Sequence, residues 1–310
     1  MEFFKKVPTI RFMELRRYWY AFSAAVVLAS IGLIMFHGLN LTVDFTGGVV
    51  MEVGFSQPVD LERARSELSG AGLGEFQVQN FGTASDMLVR LPPVEHGAAQ
   101  GVADRVMGVL KTLDPGAELR RTESVGPQVS EELTEQAALA VLMTLLLILI
   151  YIAVRFRWRF GIGSIVASLH DPIVAAGAIS LLNIPFDLNV VAALLTILGY
   201  SVNDTVVIFD RMRERFLTLR KMEPAQVMNR AINETMSRTI ITSGTALSSV
   251  VFLALLGGDT LRGFGVALAI GIVIGTYSSI YVAGAIALDL GASARDFMPP
   301  EKRSEVDALP

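Results

Sequence analysis

The chain has 310 residues, 52% of them hydrophobic and only 18% charged, with 26 Lys and Arg against 30 Asp and Glu. Having no cysteine, it can form no disulfide, iron–sulfur cluster or thiol nucleophile. Its three histidines, His37, His96 and His170, lie far apart and give no metal-ligand spacing, and no Gly-x-x-x-x-Gly-Lys-Ser/Thr loop offers a site for ATP. Neither a cofactor nor an enzymatic activity is expected, and a net charge of −4 gives no reason to expect a nucleic-acid partner.

Six apolar runs, at residues 19–36, 135–154, 160–182, 188–209, 239–256 and 264–289, are each long enough to cross a bilayer core of roughly 30 Å. The first is 18 residues long and is followed by His37-Gly38-Leu39-Asn40, which has no small-x-small cleavage site. It reads as a retained anchor, so that residues 1–37 form an N-terminal segment and first span. Just beyond it, Val43-Asp44-Phe45-Thr46-Gly47-Gly48 sets a carboxylate and two glycines at a membrane exit. This is either a rigid structural joint or, through Asp44, a site of direct ion handling.

Residues 38–133 read as one small α+β domain. A strand over 49–55 is followed by Pro58-Val59-Asp60, which opens a helix with Leu61, Ala64 and Leu68 on one face, ended by Gly70 and Gly72. Strands at 75–81 and 86–91 flank a hairpin at Gly82-Thr83-Ala84-Ser85. A second helix over 96–113 aligns Val102, Val106, Leu110 and Leu113 before Asp114-Pro115-Gly116 stops it, and a last strand covers 117–125. The order β-α-β-β-α-β is that of a ferredoxin-like fold. With no catalytic constellation in it, a binding or lever role is expected. Ser124-Val125-Gly126-Pro127-Gln128 mirrors the glycine joint at the entrance to the second span, where Glu131, Glu132 and Glu135 begin the helix.

Residues 134–290 hold the remaining five spans, and 291–310 form a C-terminal tail. The third span carries His170-Asp171-Pro172 near its centre. Pro172 removes a backbone hydrogen bond and is expected to kink the helix. Asp171 is then either a second functional acid or half of a structural His170–Asp171 knot. In the fourth span Thr196, Tyr200, Asn203 and Asp204 share a face, and in the fifth Arg238, Thr242, Thr245 and Ser249 do the same. An ionisable group inside the bilayer costs about 2.5–3.5 kcal/mol on insertion scales, so Asp204 is expected to face a partner or a watery path. Arg238 lies at comparable depth, where it can either pair with Asp204 or snorkel to the interface. Gly271 and Gly275, four apart in the last span, have the spacing of a close helix crossing.

Lysine and arginine settle the orientation. Five lie in residues 1–18, three at 155–159, seven at 211–238 and three in the tail, so eighteen of the 26 fall on one side of the membrane. Both termini are therefore expected in the cytosol, with 38–133 exported.

Val43–Gly48, His170-Asp171, the Gly199–Arg211 stretch, Ser237-Arg238-Thr239 and Arg262-Gly263-Phe264 with Gly275-Thr276-Tyr277-Ser278-Ser279 together resemble the SecF side of the bacterial SecD–SecF protein-export family. The resemblance covers all six spans and the domain between the first two. Ser130 departs from it, standing where the family usually has another glycine after Gly126-Pro127. The family is similar to the resistance–nodulation–division transporters, whose two six-helix halves form a proton-driven pump. The resemblance implies a SecD partner, association with the SecY–SecE–SecG channel and with YajC and YidC, contact with a translocating polypeptide, and residence in the inner membrane. It also implies a proton path through Asp204, Arg238 and Thr242, with the proton gradient in place of a cofactor.

Three other readings compete. A passive scaffold would use its buried charges for assembly alone. Half of a small-molecule exporter would be a close relative, but the exported domain is small for a drug-binding cleft. An intramembrane aspartyl-protease dyad of Asp171 and Asp204 would want a Gly-x-Gly-Asp context, which neither has.

Overall fold

The computed structural model describes residues 7–73, 75–81, 83–93 and 98–297. A 3-10 turn at Met13–Leu15 leads into α1 (Arg16–Phe36). Then come β1 (Asn40–Leu41), α2 (Val43–Thr46), β2 (Gly48–Gly54), α3 (Leu61–Gly70), β3 (Gln77–Phe81), β4 (Thr83–Leu91), α4 (Ala98–Leu113) and β5 (Glu118–Val125). The long helices α5 (Pro127–Arg155) and α6 (Trp158–Leu181) follow, with β6 (Pro185–Phe186) before α7 (Leu188–Thr218). Last are α8 (Pro224–Leu256), α9 (Gly258–Ser278), a π-helical segment at Ser279–Gly284, and α10 (Ala285–Asp289). The chain divides into two compact units. One holds 40–142 with 185–188, the other everything up to 39, 143–184 and the chain from 189 onward.

The first unit contains the α+β domain. Its four strands form one antiparallel sheet in the order β3-β4-β2-β5, with α3 and α4 supplying the helical connections. Alternation along β2 sends Val49, Met51 and Val53 inward, where they meet Leu68 of α3, Leu110 of α4 and Met87 and Val89 of β4, all fully buried. Asp60 caps α3 as its sequence position suggests: its side chain accepts hydrogen bonds from the Glu62 and Arg63 amides at 3.0 and 3.4 Å. After α4, Asp114 accepts from the Ser56 hydroxyl and from the Ser56 and Gly116 amides, and these donors hold its carboxyl below the usual range.

Element boundaries differ from expectation at the hairpin. Strand β4 starts at Thr83 rather than 86 and Phe81 pairs directly with Thr83, so Thr83–Ser85 belong to the ladder. Gly82, His96 with the start expected for the second helix, and the tail residues Lys302 and Arg303 lie outside the described residues.

Among the described residues, six helices are long and apolar enough to cross a membrane. Their burial separates them into two groups. Over the most apolar window, α6, α7 and the last span are 56, 50 and 56% buried, against 11, 6 and 11% for α1, α5 and α8. The first three therefore form the interior of the bundle, while α1, α5 and α8 present apolar side chains outward. Small residues permit the inner crossings. A Cβ on Gly271 would lie 2.1 Å from Ile197, and one on Gly163 would lie 2.3 Å from the Ala283 carbonyl. Helix α6 continues through Pro172 without a break. The last span, expected as one α-helix, is instead divided by the π-helical turn.

Candidate functional site

Asp204 sits in the middle third of α7 and is 6% exposed. Its Oδ1 accepts the Thr239 hydroxyl of α8 at 3.3 Å, whereas its Oδ2 is buried with no hydrogen-bond partner among the described residues. Of the two arrangements open to Arg238, the direct pair with Asp204 is not formed among the described residues. Arg238 is exposed on α8 and, among the described residues, makes no ion pair with Asp204. The reason is helical rotation: one residue on, Thr239 is turned by about 100° and is the one that faces inward. Thr242 is also exposed, its hydroxyl donating to the Arg238 and Thr239 carbonyls at 2.9 and 3.1 Å. Thr245 and Ser249 continue that outward stripe.

The α7 stripe divides similarly. Thr196 and Asn203 are exposed, while Tyr200 is half-buried and donates its hydroxyl to Ser243 of α8 at 3.0 Å. Ser243 in turn meets Thr276 of α9 at 2.9 Å. Asp204 and Tyr200 thus both reach α8 through hydroxyls.

A second, deeper network surrounds Asp171, which is 0% exposed. Its Oδ1 lies 2.9 Å from His170 Nδ1; its Oδ2 accepts the Ser278 hydroxyl at 2.8 Å and a shorter bond from Ser201. Beside it, the Thr205 and Ser279 hydroxyls meet at 2.8 Å, and Ser279 donates to the Gly275 carbonyl at 2.9 Å. His170 Nε2 is buried with no hydrogen-bond partner among the described residues. His170 and Asp171 therefore form a local knot, but one built into three helices, α6, α7 and α9. The open side of Gly275 faces Ser201 and Asp171, where a side chain would crowd both. Sequence reasoning missed Ser201, Ser278, Thr205, Ser279, Ser243 and Thr276. The available signal was weak: hydroxyls one turn from an acid, or inside a motif rich in small residues.

Asp44 belongs to the other unit. Its Oδ2 accepts the Leu188 amide at 3.1 Å, satisfying one of the free N–H groups at the start of α7. Gly47 and Gly48 both have positive φ, at 65° and 114°, and a Cβ on Gly48 would lie 2.3 Å from the Leu91 carbonyl. The glycine pair is required by this turn. Ser130 packs beside it, donating to the Pro127 carbonyl at 2.9 Å, so a serine is accommodated where the family usually has glycine.

These features define a polytopic membrane protein with six apolar helices, an α+β domain between the first and second, and buried carboxylates on its central helices. A family model described as the C-terminal part of the protein-export membrane proteins SecD/SecF matches residues 105–293, and one for the SecD/SecF GG motif matches 32–59. The protein translocase subunit SecF of Vibrio alginolyticus is 45% identical over 310 residues, covering 99% of this chain and 98% of the relative. That of Pseudomonas aeruginosa is 41% identical, covering 98% and 99%. The crystal structure of SecDF from Thermus thermophilus, a translocon-associated membrane protein, matches 91% of this chain with a TM-score of 0.80 at 38% identity. This chain spans 39% of that longer one. The chain belongs to the SecF family of protein translocase subunits, and is a transmembrane protein of the Sec pathway.

Proposed function

We propose that this chain works with a SecD subunit to convert a proton gradient into late steps of polypeptide translocation, with Asp204 as its proton-carrying group. The observation that carries this reading is a carboxylate buried within an apolar span, with one oxygen held by Thr239 and the other without a hydrogen-bond partner among the described residues. Such an oxygen can take up and release a proton while the first keeps its anchor. One proton crossing the membrane yields about 2.3 kcal/mol per 100 mV, enough to shift a two-state equilibrium roughly fiftyfold. Arg238 and Thr242, exposed on α8 next to Thr239, complete the path with groups that SecD supplies; the match to SecDF crystal structures supports that partner.

In this reading the sheet order β3-β4-β2-β5 supports a ferredoxin-like domain, exported and engaging the emerging polypeptide. The basic loops support residence in the inner membrane with both termini in the cytosol. The SecY–SecE–SecG channel, YajC and YidC are the further partners, and the chain is neither an enzyme nor the holder of a cofactor.

The test is Asp204→Asn, nearly isosteric but unable to ionise, reconstituted with its partners in proteoliposomes. Gradient-stimulated export is expected to fall to the unstimulated rate while copurification with SecD stays normal. Wild-type stimulation in the variant would overturn the proposal in favour of a passive scaffold.

A further inference from the structure

A cavity of about 350 Å³ opens where the end of α5, the start of α6 and the last turns of α7 meet the chain after α10. Three arginines line it, Arg155, Arg157 and Arg213, with two carboxylates, Asp210 and Asp296. Both carboxylates are already neutralised, Asp210 by Arg155 and Asp296 by Arg159. Arg157 and Arg213 are exposed, and neither guanidinium has an ion-pair or hydrogen-bond partner among the described residues. Two guanidiniums of uncompensated charge therefore face one concave site.

The floor of the cavity is aromatic, formed by Phe156, Phe160, Phe209 and Phe297. Its outer wall is Val154, 84% exposed at the end of α5. From Val154 an apolar stripe continues along α5 through Ile150 and Leu147, 52% and 61% exposed, at spacings of four and three residues that share one helix face. Trp158, 58% exposed at the start of α6, has Arg159 stacked at 4.9 Å from its ring. An exposed tryptophan with arginines at the end of two spans marks the headgroup level of a membrane.

We propose that this cavity binds the headgroup of an anionic glycerophospholipid, with its phosphate between Arg157 and Arg213 and an acyl chain along the Val154–Ile150–Leu147 stripe. Guanidinium forks match phosphate oxygens bidentately. A free phosphate or a soluble phosphate ester would satisfy the arginines but would make no use of the apolar stripe that starts at the cavity wall. The assignment requires only that the spans lie in a membrane and does not depend on proton coupling.

The full chain, purified with the subunits that accompany it, is placed in nanodiscs of equal phosphatidylglycerol and phosphatidylethanolamine, and retained lipids are identified by native mass spectrometry. The wild type is expected to prefer phosphatidylglycerol by about thirtyfold, two cations near the surface contributing roughly a factor of five each. Arg157→Gln with Arg213→Gln should bring the ratio close to parity. Arg220→Gln with Lys221→Gln, which removes the same charge from exposed positions outside the cavity, should leave the preference in place. Parity in the wild type, or equal loss in both double variants, would overturn the site. Displacement of the retained lipid by soluble glycerol 3-phosphate at equal concentration would also overturn it, since the headgroup alone would then suffice.

Discussion

Asp171 and Asp204 show how position on a helix separates two buried acids. Asp171 has hydrogen-bond partners on both oxygens, in His170, Ser201 and Ser278. Asp204 has one weakly held oxygen and one with no hydrogen-bond partner among the described residues. Oδ2 of Asp171 keeps one donor when either serine is removed, so Ser201→Ala and Ser278→Ala are each expected to destabilise the protein by about 1 kcal/mol, read from thermal unfolding in detergent, whereas the double variant leaves a buried acceptor unsatisfied and should cost about 1–3 kcal/mol more. Thr196→Ala, at an exposed position on α7, should stay within about 0.5 kcal/mol. Equal shifts for all three single variants would mean that the Asp171 network contributes nothing to stability. The acids themselves were visible in the sequence because a charge in an apolar run is rare. Their hydroxyl partners were not, because serine and threonine are common in such helices and nothing local says which way they turn.

At the scale of elements, the crossings depend on glycine in two different ways. On Gly271 a methyl group would meet the side chain of Ile197, which can change rotamer; on Gly163 it would meet the Ala283 carbonyl, which is backbone in the π-helical turn. Overpacking a buried site costs about 1–3 kcal/mol when side chains can adjust. Gly271→Ala is expected to fall in that range and Gly163→Ala to exceed it, again by thermal unfolding. The reverse order would show that the π-helical turn yields more readily than Ile197. The spacing of Gly271 and Gly275 marked a close crossing in the sequence, but the π-helical turn left no comparable mark. It places Ser279 against Thr205 and the Ala283 carbonyl against Gly163, and so arises from packing between helices. Elsewhere the basic cluster at 211–238, counted only as charge in the sequence, contains a defined hub: Glu234 of α8 accepts from Arg211, Arg215 and Arg230 at 2.8, 2.6 and 3.2 Å.

For the whole molecule, orientation rests on the asymmetry of lysine and arginine, and the absence of native cysteine makes it directly testable. Ser66→Cys on α3 and Thr218→Cys at the end of α7 are both at exposed positions. In intact cells with a permeabilised outer membrane, a membrane-impermeant maleimide should label the first, and the second only after the inner membrane is opened. Labelling in the opposite order would invert the topology and put the α+β domain in the cytosol. The outward-facing apolar surfaces of α1, α5 and α8 are consistent with a protein whose surroundings are lipid and a second subunit.

By itself the sequence determined six apolar runs, the asymmetry of lysine and arginine along the chain, the β-α-β-β-α-β order and the presence of acids within apolar runs. Each of these is written along one dimension, as run length, charge count or period. Only the tertiary structure decided that Thr239 rather than Arg238 reaches Asp204, that Asp171 is saturated by serines from two other helices, and that Arg157 and Arg213 share a cavity. Those outcomes depend on the rotation of each helix about its axis. In an apolar helix with little amphipathic contrast, that rotation is set by the shapes of its neighbours and not by its own pattern.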